Sequence, residues 1–120
     1  IFTYGGIVNE AIEAINFLKK KKKSFGLITL PRLNSLSYTF FKRLNLKNKV
    51  FVSLEEHIKI NGVGSRIKNL FYDNEIKVKN FLQLGLDNKN FTQIAGSQEF
   101  LRAHSNLNSK SIIKKILNVL

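Results

Sequence analysis

The chain has no cysteine, which excludes a disulfide framework and a thiolate metal site and leaves folding indifferent to redox compartment. No apolar run approaches the roughly 20 residues that a membrane-spanning helix requires. The opening Ile1-Phe2-Thr3-Tyr4 runs straight into a glycine pair, without the basic and apolar regions of a secretory signal. A cytoplasmic location is the expectation. Methionine is absent too, even at residue 1, as expected of a domain excised from a longer chain. There is one proline, no Ser-rich tract and no internal repeat, so nothing in the 120 residues reads as a linker. The expectation is a single domain over residues 1–120.

Acidic residues are also scarce. Eight Asp and Glu stand against 20 Lys and Arg, for a net charge of +12. Such an excess suits an acidic partner or a phosphate backbone. The densest run, Lys19 to Lys23, closes a helical pattern, where cations suit the negative end of the macrodipole. It reads first as a solvated helix end. A dedicated RNA binder interleaves exposed aromatics with its cations. Phe51, Phe71 and Phe81 instead fall inside apolar patterns that read as core. Nucleic-acid binding is therefore not the favoured reading, and no membrane partner is expected.

What is present is alternation. Residues 1–4 read as a buried strand, followed by a turn at Gly5-Gly6 and a helix on Val8, Ala11, Ile12, Ile15 and Leu18. Phe25 to Leu30 reads as a second strand, stopped by Pro31. Ser37 to Leu44 reads as a short helix and Val50 to Leu54 as the third strand. Gly64 to Tyr72 follows as a helix burying Ile67, Leu70 and Phe71, and Lys77 to Leu86 as the fourth strand. Ser97 is placed to cap a helix through Leu101 to His104. Asn108 is placed to cap a last one with Ile112, Ile113, Ile116 and Leu117 on its apolar face. The fold class is α/β: a three-layer domain with a mostly parallel sheet of about five strands and helices on both faces.

The densest chemistry follows the third strand, in Glu55-Glu56-His57 and then Asn61-Gly62-Val63-Gly64-Ser65. Strand ends and helix starts are where α/β proteins collect ligands. A dinucleotide fingerprint needs a third small residue, and Ile67 stands there; neither glycine turn is followed by a Gly-Lys-Ser/Thr triplet. Adjacent strand residues face opposite ways, so Glu55, Glu56 and His57 converge on a metal or a reacting group only if the strand has already ended. The plainer reading gives one carboxylate to nearby backbone N–H groups and leaves the others to solvent or a partner.

Four segments carry a resemblance. Tyr4-Gly5-Gly6-Ile7-Val8-Asn9-Glu10-Ala11-Ile12-Glu13-Ala14, Val52-Ser53-Leu54-Glu55-Glu56-His57 through Gly62-Val63-Gly64-Ser65, Gly96-Ser97-Gln98-Glu99-Phe100-Leu101, and Leu107-Asn108-Ser109-Lys110-Ser111-Ile112 resemble, in order, the transketolase C-terminal domain. Asn61 departs from the pattern where a second glycine is common, and Gly6 replaces a more usual serine or threonine. The resemblance implies the C-terminal structural or regulatory domain of a transketolase-like, thiamine-diphosphate-dependent transferase of carbohydrate metabolism. Such enzymes move two-carbon ketol units between sugar phosphates. The alternative is a partner-docking domain of a 2-oxo acid dehydrogenase decarboxylase component or of a deoxyxylulose phosphate synthase.

Implied partners are the pyrophosphate- and pyrimidine-binding domains of the same enzyme, in a homodimer or heterotetramer. The cofactor, thiamine diphosphate with a divalent metal, belongs to those domains. This domain alone is expected neither to bind it nor to turn over a ketose, and no catalytic, cofactor or metal residue is assigned here. Glu55, Glu56, His57, Gly62, Gly64 and Ser65 are the candidate substrate-entrance or interface loop. Within it, His57 and Ser65 are the residues expected to touch a phosphorylated or carboxylate ligand.

Overall fold

The computed structural model describes residues 1–30, 36–87 and 94–120. Pro31, the expected stop of the second strand, lies outside the described residues. Among them, four strands form one sheet: β1 (Phe2–Thr3), β2 (Ile28–Thr29), β3 (Val50–Ile58) and β4 (Asn80–Leu86), in the order β2-β1-β3-β4. Every pairing is parallel. The helices are α1 (Val8–Lys20), α2 (Tyr38–Arg43), α3 (Val63–Asp73), α4 (Gln98–His104) and α5 (Ser109–Leu117), with a 3-10 turn at Gly5–Ile7 ahead of α1.

Among the described residues the count is four strands, not about five, and those that follow β4 form only helices where they are regular. The second strand is also shorter than expected. Only Ile28 and Thr29 pair with β1, while Phe25 and Leu27 pack against the α1/α5 core instead.

Alternation along β3 builds two cores. Val52 and Leu54 face α1 and α5, with Ile7, Ala11, Ala14, Leu18, Ile112 and Ile116. Phe51 faces α2 and α3, with Phe2, Phe41, Val63, Ile67 and Phe71. These two layers of side chains define a three-layer domain. On α1 the buried stripe is rotated from the expected one: Ile12 is 42% exposed and Ala14 is buried. Small alanines let α1 lie close to the sheet, and the larger isoleucine turns outward.

The α2/α3 core is aromatic. Phe41 lies 5.5 Å from Phe2 and 5.1 Å from Phe71, and Phe51 lies 5.0 Å from Phe71, ring centre to ring centre. The two pairs with Phe71 are edge-to-face, which adds to plain burial. Side-chain caps start three helices, those at Ser97 and Asn108 as expected and one at Ser37 besides: they accept from the N–H groups of Phe100, Ser111 and Phe40.

The chain steps from β1 to β2 in one direction and from β3 to β4 in the other. The winding therefore reverses between β1 and β3, and the crevice at their C-terminal ends is where such sheets place function. Phe41 is fully buried at the centre of the aromatic layer. Phe41→Ala is expected to cost about 3–5 kcal/mol. Chemical denaturation should show a lower midpoint with an unchanged slope.

Candidate functional site

The third strand does not end at Leu54. Pairing with β4 is regular from Val50 to Leu54, opposite Asn80 to Leu84, and resumes with Ile58 opposite Leu86. Glu55, Glu56 and His57 thus stand against Gly85 alone, a bulge at the C-terminal end of the strand. Gly85 permits it, because a Cβ there would sit 2.9 Å from the His57 carbonyl oxygen. The three ionisable side chains do not converge. Glu55 reaches α3 on one face of the sheet and Glu56 reaches α4 on the other.

Glu55 is 1% exposed. Its Oε2 accepts from the Val63 N–H at 2.7 Å and its Oε1 from the Gly64 N–H at 3.0 Å. These are the first two residues of α3, whose N-cap, Gly62, has no side chain to offer. A carboxylate from the neighbouring strand therefore caps the helix and meets the positive end of its macrodipole. Two glycines make room for it. A Cβ on Gly62 would run into the Glu55 carboxylate and lie 2.6 Å from the Ile58 carbonyl oxygen. A Cβ on Gly64 would strike Ser53 and come within 2.7 Å of Gln83. Each glycine lets protein approach protein. Asn61 adopts φ 59°, a left-handed conformation that asparagine tolerates, which explains how it stands where the family pattern has glycine.

Ser65 is fixed by the same turn. Its hydroxyl donates to the Lys59 carbonyl oxygen, and Gln83 Nε2 donates to that carbonyl at 2.8 Å and to Ser65 Oγ at 3.2 Å. Gln83 arrives from β4 and left no motif in the sequence to announce it. The Tyr4 hydroxyl is pushed above its ordinary range by burial, with the Glu55 charge adding to the shift.

On the opposite face, Arg102 of α4 grips Glu56 with two hydrogen bonds, Nε to Oε1 at 2.6 Å and Nη2 to Oε2 at 3.0 Å. Glu10 lies 3.8 Å from the same guanidinium and also accepts from the Ser109 N–H at the start of α5. Glu13 accepts from the Ser109 hydroxyl at 2.7 Å. This knot fills the crevice beside Gly6, where a Cβ would be 3.2 Å from Arg102 Nη2. The usual serine or threonine would crowd the guanidinium there. Arg102 was invisible in the sequence as a site residue, because its partner lies 46 residues away. His57 is exposed, with Nδ1 beside the Ile58 carbonyl oxygen at 3.0 Å. The other histidine, His104, stacks on Phe100 in α4.

With this geometry in hand, the comparison with known proteins is direct. The family model of the transketolase C-terminal domain matches residues 1–112. The chain belongs to that family. Among solved structures it is similar to a split-gene transketolase in an inactive β4 tetramer, with a TM-score of 0.84 at 17% identity. The match covers 99% of this chain and 38% of that one, so this chain corresponds to well under half of its neighbour.

Among the described residues, none is placed to hold thiamine diphosphate, the cofactor implied by the family. The free N–H groups that begin α3 are already bound by Glu55. The described residues gather no cluster of three or more His, Asp and Glu able to hold its metal. No step through the cofactor is derived for this domain.

Glu55→Gln keeps one acceptor but turns an amide donor toward a helix N–H, and is expected to cost about 2–3 kcal/mol of stability. Gly64→Ala forces α3 off Ser53 and should cost about 1–3 kcal/mol. Thermal unfolding of both variants beside the parent measures each.

Proposed function

We propose that the chain is the C-terminal structural and regulatory domain of a transketolase-like, thiamine-diphosphate-dependent enzyme transferring two-carbon ketol units between sugar phosphates. In this reading it supports dimer assembly, and the turn from His57 to Gly62 borders the substrate entrance or a subunit interface. Pyrophosphate- and pyrimidine-binding domains of the same enzyme are its partners and hold the cofactor.

The observation that carries the reading is the turn between β3 and α3. Glu55 fixes it at one end, and Ser65 with Gln83 fixes it at the other. Between these anchors Ile60 is 60% exposed and His57 stands in solvent. A rigid turn offering an apolar side chain is pre-organised for a neighbour, since little conformational freedom is lost on contact.

Ile60→Asp and His57→Ala, made in the complete enzyme, test this. Ile60→Asp is expected to shift the assembly toward smaller species in sedimentation velocity. His57→Ala should raise KM for the sugar phosphate several-fold without unfolding the protein. Unchanged sedimentation together with unchanged kinetics would remove the reading.

A further inference from the structure

Opposite the candidate turn, at the edge where the strands begin, the molecule has a second feature that the preceding reading does not use. An open cavity of about 430 Å³ lies there, floored by Phe25, Ile28, Leu44, Leu46 and Phe51. Lys22, Lys23, Lys49 and Lys79 also line it, with Ile1 and Leu120; the Lys79 ammonium donates to the Leu120 oxygen, and among the described residues no acidic side chain lines the cavity. More cations crowd the same edge, with Lys19 and Lys20 in the last turn of α1 and Lys42 and Arg43 in the last turn of α2.

We propose that this basin binds an acidic segment of a partner polypeptide, one apolar side chain seated in the cavity and flanking carboxylates on the lysine rim. The volume falls in the range of ligand-binding clefts. Lys22 with Lys23, and Lys49, come from separate stretches of chain and share the lining with apolar side chains, which suits spaced carboxylates better than a single phosphate. Nucleic acid is a poorer fit. Phe51 is buried and Phe25 half-buried, so neither offers the exposed aromatic face on which a base would stack. Lys22 adopts φ 58° in the turn that ends α1, where its N–H and that of Lys23 close back on Lys19 and Leu18. Glycine is the easier residue in that position, yet here it is one of the cations at the cavity.

The test uses the complete enzyme and a fluorescent, glutamate-rich peptide with one central phenylalanine, followed by anisotropy. Saturable binding that weakens as salt rises is expected. Lys23→Glu combined with Lys49→Glu should weaken it about tenfold or more, two rim charges being reversed. Gly26→Leu leaves the charge unchanged and grows a side chain from a cavity-lining glycine whose Cβ direction is open. It should weaken binding several-fold, as should exchanging the peptide's phenylalanine for serine. Binding indifferent to Gly26→Leu and to the phenylalanine would overturn the proposal, leaving only non-specific charge attraction. So would a single-stranded RNA that competes equally well at the same salt. An absence of peptide binding to the complete enzyme would overturn it too, whether the basin is inert or already covered by the enzyme's own chain. None of these results bears on the His57 to Gly62 turn at the other edge, so the two readings fail separately.

Discussion

The contact on which the arrangement of this domain depends is the Glu55 carboxylate at the start of α3. A helix begins with N–H groups that no backbone partner satisfies, and here they are buried under the sheet. A side-chain cap from Gly62 is not available, so the strand supplies one. Several features follow from that choice. Residue 62 must be glycine, since a Cβ would occupy the carboxylate's place. Residue 64 must be glycine, because helix and sheet are drawn together until a Cβ would strike Ser53. Between strand and helix the turn becomes short and rigid, with Asn61 in the left-handed conformation that closes it. A segment that looks like a phosphate loop is thus a loop whose anion is internal.

The same logic runs through the other acids. Glu10 and Glu13 serve the start of α5, and Glu56 holds Arg102. Four of the eight acidic residues are therefore committed to internal contacts at the edge where the strands end. The helices that follow strands run back toward the opposite edge, so their negative dipole ends collect there and favour cations. Lysines at the ends of α1 and α2 answer that preference. Part of the net charge of +12 thus lies where the ends of α1 and α2 favour cations, whereas α3 ends without a basic residue.

Much of this was legible in the sequence, for identifiable reasons. The α/β alternation is written in apolar periodicity, and the caps at Ser97 and Asn108 are local signals that need no tertiary context. Long-range facts were not legible. The bulge at Glu55 to His57 depends on Gly85 in another strand. Ile12 looked like core, and only the close approach of α1 through Ala11 and Ala14 turns it outward. Gln83 and Arg102 complete the two networks from 24 and 46 residues away, with no local pattern to mark them.

The pairing of two adjacent glutamates shows why a catalytic-looking cluster need not be catalytic. Paired carboxylates acting as acid and base must face a common space, and their environments must separate their roles. A strand forbids the first condition by sending neighbours to opposite faces. The bulge does not lift that prohibition, because each carboxylate is engaged on its own side, one by α3 and the other by α4. The same geometry that denies the pair a shared reaction gives it a shared structural effect. One strand end fastens a helix on each face of the sheet, and the short turn from β3 to α3 is held rigid between its anchors.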